Sequence, residues 1–136
     1  MADDFTQCMV SNSRMAARAI TRRYDAYLRP HGMTATQLSL LGSIRMLPGS
    51  TVSQLAEARG FERTTLTRNL DKLEQMGLVI SVAQGRGRVA EITPKGKDLL
   101  RELLPLWRRA QAELRAELSP NAFDDSIKTL TRLAKV

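Results

Sequence analysis

At 136 residues the chain fits one domain, because second domains rarely begin below this length. Its 43% hydrophobic and 26% charged residues are ordinary globular composition, which excludes a chain disordered throughout. Lys and Arg number 21 against 14 acids, and the resulting net charge of +7 is the footprint of a protein that meets phosphates or another anionic surface. One cysteine and one histidine supply neither an intramolecular disulfide nor the usual zinc site, so no metal or cofactor is expected. The N-terminus, MADDFTQC, lacks the basic segment and apolar run of an export signal. No stretch approaches the roughly 20 apolar residues of a membrane span, and a cytoplasmic protein is expected.

Met9, Ala16, Ile20, Tyr24 and Tyr27 recur at spacings of 7, 4, 4 and 3, which predicts one face of a helix over residues 11–28. Pro30 and Gly32 end it. Thr34-Ala35-Thr36-Gln37 is a capping box that opens a second helix through Leu38, Leu40, Leu41 and Ile44, closed by Leu47-Pro48-Gly49-Ser50. TVSQLAEARGF and ERTTLTRNLDKLEQMG are two short helical patterns broken at Gly60, the spacing of a helix-turn-helix. In the second of these, Leu66, Leu70 and Leu73 fall within about 60° at 100° per residue and should face the core. The opposite side carries Thr64, Thr65, Thr67, Arg68 and Asp71.

Residues 78–82 and 89–92 read as short strands, joined by a cationic connection over 83–88 that holds two glycines and two arginines. Thr93-Pro94 starts a long helix to about residue 118, with a kink expected at Pro105. Ser119-Pro120 starts a last helix whose stripe is Phe123, Ile127, Leu130 and Ala134. The fold class is therefore mainly α with a small β-hairpin, in the order four helices, hairpin, two helices. The apolar stripes of the first and last helices are wider than a monomer covers, so pairing with a second subunit is expected.

The charge has an address. The excess of cations over acids is +2 in residues 1–58, +4 in 59–97 and +1 in 98–136, so it peaks over the helix-turn-helix and hairpin. Arginine outnumbers lysine 16 to 5, which suits bidentate contacts to phosphate and guanine.

These residues resemble the MarR-type winged helix-turn-helix transcription regulators over residues 10–118. The resemblance is carried by Gly32-Met33-Thr34 with Gln37, Val52-x-x-Leu55-Ala56, Thr65-Leu66-Thr67-Arg68 through Leu73-Glu74-x-x-Gly77-Leu78-Val79, Arg86, and Ile92-Thr93-Pro94-x-Gly96. It implies a single domain over 1–136, with a winged helix-turn-helix lobe at 34–93 and dimerisation helices at 1–33 and 94–136. It implies six helices, a two-stranded wing, and a homodimer intertwined through the first, fifth and sixth helices. The function it implies is that of a ligand-responsive repressor, sequence-specific for a pseudo-palindromic operator in double-stranded DNA.

By position, the resemblance assigns DNA contact to Arg63, Thr64, Thr65, Thr67 and Arg68 on the recognition helix and to Arg86 and Arg88 on the wing. Thr51 and Ser53 fall where the preceding helix approaches the phosphate backbone. Arg68 is left open between a base contact and a surface pair with Asp71. Where the family's wing carries Asp-x-Arg, this chain has Gln84-x-Arg86 in a shorter wing, so Arg86 is expected to be less fixed when free.

The resemblance also implies a small aromatic or anionic effector in a crevice between the dimer helices and the DNA-binding lobe. Met15, Arg18, His31, Met33 and Trp107 are the residues offered there, each with a plainer account as a core or turn residue. Cys8 offers a redox-sensing alternative, since some family members sense peroxide through an N-terminal cysteine, and its reactivity would need the start of the first helix to lower its pKa. Sequence-blind nucleic-acid binding is a further alternative. An enzyme is not expected, because Cys8 and His31 lie 23 residues apart with no third orienting group.

Overall fold

Hydroxyl side chains set four helix starts. Thr34, Thr51, Thr93 and Ser119 each accept a hydrogen bond from the backbone N–H three residues on, satisfying an amide that the first turn leaves free. In the computed structural model, which describes residues 2–135, the helices are α1 (Met9–Leu28), α2 (Ala35–Met46), α3 (Val52–Arg59), α4 (Arg63–Gln75), α5 (Pro94–Leu118) and α6 (Pro120–Ala134). A hairpin of β1 (Val79–Gln84) and β2 (Gly87–Ile92) lies between α4 and α5. Both Thr34 with Gln37 and Thr51 with Gln54 form complete capping boxes. The second of these is a start signal that the hydrophobic pattern alone does not display.

Two boundaries differ from the sequence expectation. α1 begins at Met9 rather than at residue 11, with Cys8 as its N-cap after a 3-10 turn over Phe5–Gln7. The strands extend inward until Gln84 faces Gly87, so the expected six-residue connection is a two-residue turn of Gly85 and Arg86. Backbone pairing continues there although the side chains are exposed. Gly85 holds φ 59°, the left-handed value that the first position of such a turn takes. Pro105 removes one backbone bond from α5, yet α5 is a single helix across it.

The core forms where α2, α3, α4 and the hairpin converge on the C-terminal end of α1 and the first half of α5. Leu66, Leu70 and Leu73 are each 0% exposed and pack with Leu28, Leu40, Leu41, Ile44, Leu55, Leu78 and Leu103. β2 packs against α2 and α3, and Thr51 makes an isolated antiparallel bridge to Val89 that ties the start of α3 to the hairpin. α1 lies along α5, joined by Tyr24–Gln111, Tyr27–Glu113 and Arg23–Glu117. Among the described residues no helix is long and apolar enough to cross a membrane.

Close approach decides one position. A Cβ on Gly96 would lie 2.2 Å from the carbonyl oxygen of Leu78 and 2.7 Å from Ile92 Cγ1. α5 can therefore seat on the hairpin only with glycine there. Gly96→Ala is expected to destabilise the fold by about 1–3 kcal/mol or more, read as a lower urea midpoint at unchanged slope; an unchanged midpoint would show that α5 can shift at no cost.

Candidate nucleic-acid interface

Burial of the leucine stripe turns the other side of α4 to solvent. Arg63, Thr64, Thr67 and Arg68 are all exposed, and with Asp71, Lys72 and Gln75 they line an outer groove along the helix. A second groove of about 440 Å³ runs between the start of α3, α4 and the hairpin, where Ser53, Arg63, Thr67, Arg86 and Arg88 meet. Two surfaces separated in sequence are thus continuous through Arg63 and Thr67. Thr51 stands at the edge of this region, half-buried, with its hydroxyl already accepting the Gln54 amide.

Thr65 lies elsewhere. At 100° per residue it sits a quarter-turn away from Thr64 and toward the buried side, and the structure leaves it half-buried on the wall of a separate crevice. Treating Thr64, Thr65, Thr67, Arg68 and Asp71 as one face placed Thr65 too far round the helix.

The cations of the interface differ in how they are held. Among the described residues Arg63, Arg68 and Arg86 have no acidic partner within ion-pair distance, so the pair of Arg68 with Asp71 does not form. Arg86 stands exposed at the tip of the turn. Arg88 instead bonds to Ser81 across the hairpin and to Asp71 and Glu74 on α4. Partial burial alone would lower its pKa, but the bonds and charges of Glu74 and Asp71 outweigh that and raise it.

A crevice of about 750 Å³ opens where α1, α2 and α5 meet the α3–α4 turn, within the range of small-molecule sites. Tyr24, Phe61 and Trp107 supply its aromatic wall, and Arg45 and Arg59 its cations. Burial raises the Tyr24 pKa and keeps the phenol neutral, and its hydroxyl donates to Gln111. Of the five residues that the sequence offered for a ligand, Trp107 alone lines this crevice, at 40% exposure.

The other four are placed differently. Met33 is 2% exposed in the core, where packing rather than ligand contact accounts for it. His31 sits in the turn after α1 with Nδ1 3.8 Å from Glu102 Oε1. Met15 and Arg18 lie on the open face of α1, outside the crevice. Arg45 and Arg59 were missed because each reads as an ordinary basic residue in a helix's last turn. No local spacing marks residues that converge from separate helices.

Cys8 stands at the N-cap of α1, half-exposed, and its thiol pKa is lowered by the backbone amides of Ser11 and Val10 and by the Ser11 hydroxyl.

With this geometry in view, a family model described as MarR family matches residues 31–88, which span the start of α2 to the hairpin. The M. tuberculosis transcriptional regulator MosR is 40% identical and superposes at a TM-score of 0.84, over 97% of this chain and 98% of its own. MosR in complex with DNA matches at 42% identity and a TM-score of 0.78, over 95% and 98% of the two chains. Bordetella bronchiseptica BpsR, whose DNA binding is regulated by 6-hydroxynicotinic acid, shares the fold at a TM-score of 0.87 and 16% identity, over 100% of both chains. With its unpaired arginines along two grooves joined at Arg63, and matched along nearly its whole length by a DNA-bound regulator, this winged-helix chain belongs to the MarR family of DNA-binding transcriptional regulators.

Proposed function

We propose that this chain is a homodimeric, sequence-specific repressor that binds a pseudo-palindromic operator and releases it when an effector fills the crevice. The observation that carries the reading is the coincidence of shape and free charge. Arg63 and Arg68 project from a helix whose other side is locked into the core, and Arg86 stands at the tip of a hairpin beside it. An α-helix fits the major groove and a β-turn reaches the adjacent minor groove, so Arg68 is assigned to a base edge and Arg86 to the minor groove or its phosphates. Arg63, Thr64, Thr67, Ser53 and Thr51 are assigned to positioning on the backbone.

Residues 34–93 are taken as the DNA-binding lobe, and residues 1–33 and 94–136 as dimerisation helices. Exposed apolar residues on α1, on the turn before it and on α6 support that division. Phe5, Met9, Val10, Met15, Ile127, Leu130 and Leu133 are all exposed in the single chain, and α6 buries only Phe123. A second copy would cover them and space two recognition helices about one turn apart on one face of DNA, in a protein assigned to the cytoplasm.

The effector class follows from the crevice. Three aromatic side chains and two arginines suit a small aromatic anion, and BpsR's regulation by 6-hydroxynicotinic acid supports the class. A redox reading is favoured by one observation, the lowered thiol pKa of Cys8.

The proposal is tested by fluorescence anisotropy with a duplex from the promoter beside the protein's own gene and a random duplex of equal length. Wild type should prefer the promoter by about 10³ or more, and a ratio near one would make it a sequence-blind binder. Arg68→Ala should cost about 1–3 kcal/mol on the promoter and far less on random DNA, while Arg86→Ala should reduce the log-log salt slope by about 0.9. Equal Arg68→Ala losses on both duplexes would demote that residue to a phosphate contact.

For the effector, Trp107 emission should change saturably with 6-hydroxynicotinic acid or a related aromatic acid. Arg45→Ala should weaken that response about 10- to 100-fold, as loss of a charged hydrogen bond implies. Emission unmoved by any acid would leave the crevice without a ligand. For Cys8, alkylation by iodoacetamide should reach its half-maximal rate at a lower pH than for a short unstructured thiol peptide, because only thiolate reacts and its pKa is lowered. Coincident profiles would remove the redox reading.

A further inference from the structure

The cation of the interface with the most hydrogen bonds is bonded inward. Arg88 Nε donates to Ser81 Oγ at 2.7 Å, on the neighbouring strand. Its Nη2 donates to Glu74 Oε1 at 2.8 Å and to Asp71 Oδ1 at 3.2 Å, both on α4. The Ser81 hydroxyl donates to the same Glu74 carboxylate. Two carboxylates three residues apart on the recognition helix and both strands of the hairpin therefore converge on one guanidinium, whose side chain is 33% exposed.

We propose that Arg88 is a positioning residue of the DNA interface and not itself a DNA contact: it locks the hairpin to α4 and neutralises Asp71 and Glu74 beside the surface offered to phosphate. This rests on the DNA-binding reading above. Three of the five guanidinium N–H donors are committed, and turning outward to a phosphate would break charge-assisted bonds. It would also leave two carboxylates bare. Asp71 lines the outer groove with Arg63, Thr67 and Arg68, so an uncompensated charge there repels the ligand those residues attract.

The mechanical part has the same origin. The hairpin narrows to a two-residue turn, and Arg86 at its tip is only two residues from Arg88. Fixing Arg88 against α4 fixes the base from which Arg86 projects, and so sets the distance between the two groove-reading elements.

The test is a double-mutant cycle on the full chain at 25 °C, with each variant verified as folded by circular dichroism. Binding is read by anisotropy on the promoter duplex and the random duplex. Arg88→Gln should weaken promoter binding on the order of tenfold, and the same substitution on the Asp71→Asn/Glu74→Gln background should change it less than about twofold. A comparable loss on both backgrounds would overturn the proposal, because Arg88 would then act on DNA without the carboxylates. A lower urea midpoint with an unchanged Kd would overturn it too, leaving Arg88 a prop of the fold alone. If Arg88→Gln does not fold, Arg88→Lys takes its place in the cycle with an expected loss of about threefold, since an ammonium keeps the charge but not the forked geometry. Wild type binding neither duplex would sink the DNA reading itself, an outcome separate from either failure of the cycle.

Discussion

Burying Leu66, Leu70 and Leu73 on one side of α4 fixes that helix's rotation about its own axis, and the candidate interface depends on this constraint. Each fully buried leucine contributes about 1.5–3 kcal/mol relative to exposure, so a turn of even one residue's worth would forfeit several kcal/mol. The same lock holds Thr64, Thr67 and Arg68 outward and turns Thr65 toward the crevice. The specificity of a recognition helix is in this sense specified from its hidden side. The polar face carries the chemistry, and the leucines decide which polar residues belong to it.

A second set of constraints ties the hairpin to that helix. The Thr51–Val89 bridge, the seat of α5 over Gly96 and the convergence on Arg88 hold the hairpin from three directions. The tip alone is left unpaired, so Arg86 is free at the end of a held element. At the start of α2, Asp25 of α1 accepts the Ala35 amide at 2.6 Å, linking α1 directly to α2. The crevice lies along that junction, so its walls belong to both parts of the molecule.

Much of the fold was legible because its signals are local. Thr34 with Gln37, Thr93 with Pro94 and the Leu66–Leu70–Leu73 stripe are patterns within a few residues, and each maps onto an observed cap or buried face. The hairpin turn was less so, because strand pairing at Ala83 with Arg88 and Gln84 with Gly87 depends on backbone geometry rather than on side-chain alternation. Of the site, the free arginines Arg63, Arg68 and Arg86 could be read from position on a helix face or hairpin tip. The crevice could not: Met33 and His31 were candidates by residue type, whereas Arg45, Arg59, Tyr24 and Phe61 arrive there from different elements.

By itself the sequence determined the element order, the class and the side of α4 that must be hidden, because periodicity and capping act over one or two helical turns. It also placed the surplus of positive charge over the helix-turn-helix and hairpin. Only the tertiary structure decided which of those cations are free. Arg68 could have paired with Asp71, three residues away on its own helix, but Arg88, 17 residues away in sequence, takes that carboxylate together with Glu74. Strand pairing brings Arg88 to α4 at bonding distance, and long-range pairing of this kind has no imprint in local spacing.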